Sequence, residues 1–136
     1  MEEDEEKKLA DVADKKKKSA KKRRITAEEK RLRESYKKIP DDLMRVADGL
    51  IRRAAYMRVT LEDYEIDLDN GGYVEQFTQS EKTKAYERER PVARLYNQMN
   101  RNFQQIIKQL TDMLPKPDPE KDSPKDDGFE AFVINR

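Results

Sequence analysis

Between Pro91 and Leu114 apolar residues recur at steps of 4, 3, 4, 3, 4 and 3 without a miss: Val92, Tyr96, Met99, Phe103, Ile106, Leu110 and Met113. That spacing puts them on one stripe of a helix over three heptads, with Pro91 suited to a first helical position. Leu95, Ile107 and Leu114 widen the stripe, so the helix offers more than one face to partners. At ~1.5 Å per residue such a helix is about 36 Å long. Any fold for this chain must bury that seam along its whole length.

The candidates for covering it lie upstream. Thr26-Ala27-Glu28-Glu29 fits a capping box and predicts a helix from about 27 to 38, ended by Pro40. Asp41 or Asp42 can cap a second helix over 42–58. In it Leu43, Ala47, Leu50, Ala54 and Met57 share a face, widened by Val46, Ile51 and Ala55. Thr60-Leu61-Glu62-Asp63 offers another cap for a short helix to about 70, closed by Asn70-Gly71-Gly72 through left-handed backbone. Tyr73–Thr78 alternates like a strand and pairs naturally with Lys84–Glu89 as a small hairpin. A 42–58 helix reaches only about 25 Å, so part of the 91–114 seam is left uncovered. Either the shorter helices cover the remainder or a second subunit does, and so small a domain favours oligomerisation. The residues expected to build that interface are Leu43, Leu50, Ala54, Val92, Tyr96, Met99, Phe103, Ile106, Leu110 and Met113. The fold class is therefore mainly α, a helical hairpin or coiled-coil core with short flanking helices, a small β-hairpin and disordered charged tails.

Composition explains the tails. Of 136 residues 43% are charged and 35% hydrophobic, enough for one small core and too little for two. The net charge of +1 hides segregation. Residues 1–25 carry 10 bases against 7 acids, residues 26–114 carry 16 of each, and residues 115–136 carry 4 bases against 6 acids. Three segments follow: a disordered basic arm (1–25), a helical oligomerisation core (26–114) and a disordered acidic tail (115–136).

Within the arm Lys15, Lys16, Lys17, Lys18, Lys21, Lys22, Arg23 and Arg24 place eight cations in ten residues with no acid. A run of this kind suits phosphate contacts that release counterions from a duplex. Its alternative is a solvating tail or a localisation-type cluster. Lys30, Arg31, Arg33 and Lys37 continue the basic surface. The acidic tail, after three prolines in Pro115–Pro119, closes with Phe129-Glu130-Ala131-Phe132-Val133-Ile134. Phe129, Phe132, Val133 and Ile134 read as docking anchors for a partner, or as a segment folding back on the helices.

The residue inventory excludes much chemistry. With no His and no Cys there is no His or Cys metal site, thiol nucleophile, disulfide or histidine base. Four glycines, at 49, 71, 72 and 128, cannot form a phosphate-cradling loop, so no nucleotide or other cofactor is expected. Glu62, Asp63, Glu65, Asp67 and Asp69 lack a calcium-loop pattern and read as a solvated face. Arg45, Arg52, Arg53 and Arg58 form either a basic stripe for DNA or inter-subunit ion pairs. A helix-turn-helix over 42–69 is disfavoured, because its recognition helix would bring five acids and no cation to DNA. No apolar run approaches a membrane span and the start Met1-Glu2-Glu3-Asp4 is unlike a signal peptide, so an intracellular protein without a membrane partner is expected.

Taken in order, Asn70-Gly71-Gly72-Tyr73-Val74-Glu75-Gln76-Phe77-Thr78-Gln79-Ser80-Glu81-Lys82, Tyr86-Glu87-Arg88-Glu89-Arg90-Pro91, Leu95-Tyr96-Asn97 and Ile107-Lys108-Gln109-Leu110-Thr111-Asp112-Met113-Leu114-Pro115 resemble the small terminase subunits of tailed bacteriophages. The resemblance covers about residues 26–115 and not the N-terminal arm. It implies a non-enzymatic adaptor that forms a homo-oligomeric ring and recognises double-stranded viral DNA. Such an adaptor recruits and regulates the large terminase subunit, an ATPase and nuclease, in the cytoplasm of the infected bacterial host. It also implies that Phe129, Phe132, Val133 and Ile134 meet the large subunit. The sequence departs from that pattern in lacking a basic helix-turn-helix. A coiled-coil scaffold without DNA binding is the alternative, and an enzyme working on carboxylates alone is a third.

Overall fold

A computed structural model of the protein describes residues 1–117. It consists of α1 (Glu2–Ser35), α2 (Met44–Gly71), β1 (Val74–Phe77), β2 (Tyr86–Glu89) and α3 (Pro91–Met113). The chain is mainly helical, as its patterning requires, with α2 in the middle and α1 and α3 both packed against it.

The core forms where the three helices meet. Leu32 and Tyr36 at the end of α1, Ile39 in the following turn, Ala47, Ile51, Ala54 and Ala55 on α2, and Leu110 on α3 are buried together. The alanines let the helices approach, and Leu110 and Ile51 fill the space between them. Tyr36 keeps its hydroxyl satisfied through Thr111 Oγ1, 3.1 Å away. A second set, Val59, Leu61, Leu68 and Ala93, continues the burial toward the other end of α2.

Two expectations are corrected. The first is the arm: residues 2–25 belong to one helix that runs on to Ser35, with no start at Thr26. The Thr26 hydroxyl donates instead to the Lys22 carbonyl at 3.0 Å, a mid-helix contact. The reason lies in the order of charges. Glu3 and Lys7, Asp4 and Lys8, Asp11 and Lys15, and Asp14 and Lys18 all place an acid four residues before a base, the favourable orientation on a helix. The Asp14–Lys18 pair is formed at 3.1 Å. Five consecutive acids, Glu2–Glu6, also sit at the positive end of the helix dipole.

The second correction joins two helices into one. α2 passes through Arg58, Val59 and Thr60 without a turn, because Val59, Thr60 and Leu61 are all buried and tertiary packing outweighs the local capping signal at Thr60. This removes the turn that a helix-turn-helix needs. At about 42 Å, α2 is longer than α3 at about 34 Å, so the joined helix spans the α3 seam, the first of the two alternatives for covering it. On α3 Leu110 and Ala93 are buried, and the other seam residues keep partial exposure.

The hairpin is present, with Val74 opposite Glu89 and Phe77 opposite Tyr86 in an antiparallel pair. Gly72, with φ of 78° and ψ of 178°, turns the chain out of α2 in a conformation open essentially to glycine alone. Arg90 then ties hairpin to helix. Its guanidinium donates to the Gly72 carbonyl and the Asp67 carboxylate, each at 2.8 Å, while its own N–H reaches the Tyr73 carbonyl. Phe77 is sandwiched by Tyr86, edge-on at 5.9 Å between centroids, and by the Arg88 guanidinium at 3.5 Å. The tail expectations for 118–136, including docking through Phe129, Phe132, Val133 and Ile134, lie outside the described residues.

Candidate nucleic-acid interface

The basic run of α1 divides by helical geometry into an inner and an outer set. Leu32 and Tyr36 fix which face of α1 meets α2, and Lys21, Arg24 and Glu28 continue that face upward at spacings of three and four. Opposite them α2 presents acids. Arg24 reaches Asp63 at 2.6 Å and Glu62 at 3.1 Å, and Lys21 reaches Asp63 at 3.9 Å while its ammonium lies 5.0 Å from the centre of the Tyr56 ring. Hydrogen bonding to Asp63, then to Glu62, raises the Arg24 pKa further above its already high ordinary value. Lower down, Arg58 answers from α2 by pairing with Glu28 at 3.4 Å and Glu62 at 3.6 Å, and Arg33 pairs with Asp48. The two helices are thus sewn together by complementary charge, with Glu28 the most enclosed carboxylate of the set.

The outer set is different. Lys15 and Lys16 are exposed and have no acidic partner among the described residues, and the same holds for Lys22, Arg23 and Lys30; Lys17, also exposed and unpaired there, sits one turn before Lys21 on the inner side. Arg23 touches only the Ser19 hydroxyl, at 3.4 Å. Of the remaining expected phosphate contacts, Lys18 is held by Asp14, Arg31 by Glu28 and Lys37 by Glu34. Hydrogen bonding raises the pKa of Arg31 and Lys37, and the Lys37 contact lowers that of Glu34. These three are local pairs on the helix surface. The twelve cations expected to contact DNA therefore do not form one surface, and Lys21, Arg24 and Arg33 face α2 as ion-pair partners.

Sequence reasoning missed two things. Glu62 and Asp63 are the counter-charges of α1 rather than a merely solvated face, a match that only the packing of α1 on α2 reveals. Lys8 belongs with the outer cations, one heptad before Lys15, a spacing visible in the sequence.

The residues expected at a subunit interface differ in burial within the chain. Ala54 and Leu110 are fully buried, and Leu50, Phe103, Ile106 and Met113 pack on the same core. Val92, Tyr96 and Met99 are half-buried, with the Tyr96 hydroxyl 3.4 Å from Glu65. Leu43 is exposed. The arginines of α2 likewise act internally where they are paired, Arg52 with Asp48 and Arg58 with Glu28 and Glu62.

Among the described residues no cluster of acids is arranged to hold a metal ion, and no helix is long and apolar enough to cross a membrane. Comparison of the chain with protein-family models, curated proteins and solved structures found no match.

Proposed function

We propose that this chain is a small terminase subunit of a tailed bacteriophage: a non-catalytic adaptor that binds double-stranded viral DNA in the cytoplasm of the infected host and brings it to the large terminase subunit. The family element of this reading comes from the ordered resemblance over residues 26–115. The observation that carries the DNA-binding element is physical. Residues 2–20 of α1 are exposed throughout, extend the helix beyond its packed end, and deliver the first half of the densest basic segment of the chain to solvent, with Lys22 and Arg23 of its second half exposed as well.

A homo-oligomeric ring remains part of the proposal, with Leu43 kept from the residues first expected and other exposed apolar side chains beside it. Leu43 at the start of α2, Val46, Tyr56 and Ile66 on α2 and Leu95 on α3 are large apolar side chains still exposed on the packed helices, and self-association draws on these and on the partly exposed α3 seam.

Light scattering of the full chain, with and without duplex DNA, tests the reading. A discrete oligomer that binds duplex in a salt-dependent way is the expected result. A monomer or dimer indifferent to duplex at physiological salt overturns it in favour of a helical scaffold.

A further inference from the structure

The cations of the outer face of α1 are not scattered. Lys8, Lys15 and Lys22 are spaced by seven residues, and so are Lys16, Arg23 and Lys30. Seven residues are almost two helical turns, so each series is a ladder with rungs about 10.5 Å apart, and the ladders lie side by side. Ser19 and Thr26, small and polar, occupy the ground between them. Two shallow depressions lie there and share Ser19 and Arg23: Val12, Lys15, Lys16, Ser19 and Arg23 line the upper, and Ser19, Arg23, Thr26 and Lys30 are among the residues lining the lower. Asp14 is turned onto Lys18 and Glu28 onto Arg31 and Arg58, while Asp4 and Asp11 stand on the Lys8–Lys15 stripe and leave the cations from Lys15 to Lys30 as the acid-poor part of the ladders.

Resting on the DNA-binding reading above, we propose that these two ladders are the duplex-binding site. Six side chains, Lys8, Lys15, Lys16, Lys22, Arg23 and Lys30, grip backbone phosphates without reading bases, while Lys21 and Arg24 of the same basic run brace α1 against α2. The chemistry of the stripe favours phosphate over base edges, because α1 contains no Asn or Gln, the residues suited to adenine, and five of the six cations are lysines that act as point charges. It also favours nucleic acid over a lipid surface. An interfacial helix needs a broad apolar face, and the projecting half of α1 offers only Leu9 and Val12 among its large side chains beyond Met1. From Lys8 to Lys30 the ladders run about 33 Å, enough to meet several successive phosphates.

Residues 21–24 allow a test at constant charge and position. In the full chain, Lys22→Gln with Arg23→Gln removes two outer cations, and Lys21→Gln with Arg24→Gln removes two inner ones. Binding to two duplexes of unrelated sequence, each longer than α1, is measured by fluorescence anisotropy from about 50 to 200 mM salt. The outer pair is expected to flatten the slope of log affinity against log salt by about 2, or ~0.9 for each phosphate no longer neutralised, equally for both duplexes. The inner pair is expected to leave that slope nearly unchanged and to lower the thermal midpoint instead. Circular dichroism of the outer pair checks that the helix persists.

Equal flattening of the slope in both pairs would mean that DNA senses the net charge of the run and not a face, which overturns this assignment alone. A strong preference for one duplex overturns the phosphate-only grip. If the unaltered chain binds neither duplex, or binds only anionic vesicles, the adaptor reading itself fails.

Discussion

Residues 2–20 and 21–35 of α1 belong to one helix and both carry basic side chains, but only the second half lies along α2. In the packed half Leu32 is 4% exposed and Arg24 is held by two carboxylates; in the projecting half Leu9 is 71% exposed and Lys15–Lys17 form no ion pair among the described residues. The difference teaches that charge density along a chain does not say which cations are available. Arg23 and Arg24 are neighbours in sequence, yet one faces solvent and the other Asp63, and the determinant is where Glu62 and Asp63 stand on a different helix.

The comparison breaks most clearly at its two leucines. Leu32→Ala removes a side chain from the three-helix core and should cost about 2–5 kcal/mol, whereas Leu9→Ala should stay within ~0.5 kcal/mol, both read from urea unfolding. Equal effects would show that the projecting half is packed after all. The two helical threonines give a smaller contrast. Thr26 satisfies its hydroxyl at Lys22, but Thr60 is buried and its Oγ1 has no hydrogen-bond partner. Thr60→Val should therefore raise stability by about 1 kcal/mol, while Thr26→Val should be close to neutral. A destabilised Thr60→Val protein would indicate a partner for that hydroxyl.

Arginines sharpen the comparison further. Arg24→Gln should lose about 0.2–1 kcal/mol, the usual range for a solvent-screened pair, and a double-mutant cycle with Asp63→Asn should recover the coupling. Arg23→Gln should leave stability unchanged. The smallest effect is expected from pH. Partial burial, reinforced by Glu65, raises the Tyr96 pKa above the ordinary tyrosine value of 10.0. The folded chain then keeps a proton that the unfolded chain has already lost, so stability holds below about 10 and declines as pH rises through the elevated value. Tyr96→Phe should remove that alkaline slope, as seen in unfolding midpoints measured across the interval.

Much of the fold was legible because some signals are local and unopposed. Pro91 starts α3, the 4-3 spacing runs its full length, and Pro115 follows its end, so nothing in the tertiary structure had to correct them. The hairpin was legible for the same reason, since alternation in Tyr73–Thr78 is bounded by Gly72 and by polar residues. At Thr60 a good local cap competes with the burial of Val59 and Leu61, and burial wins by continuing the helix. Residues 2–25 misled in the opposite sense: block charge suggests self-repulsion, but several acids precede bases by four residues, the favourable order on a helix, and Asp14–Lys18 forms such a pair. The candidate site was half legible. Its residue types were visible, its face was not, because the face is set by Leu32 and Tyr36 docking on α2 and by which acids α2 then presents.

The unbroken backbone of α1 from Glu2 to Ser35 gives the arm a further role as a gauge. Helix opening proceeds inward from a frayed end, so a polyanion holding Lys15–Arg23 in helical form must suppress excursions of every turn between its grip and Leu32. The free energy of association, RT ln(1 + [L]/Kd) for a ligand that prefers the helical state, is thereby shared with amides that the ligand never touches. Slowed hydrogen exchange at residues 24–32 would report occupancy of the arm from inside the bundle, making the packed end of α1 a sensor for its exposed one.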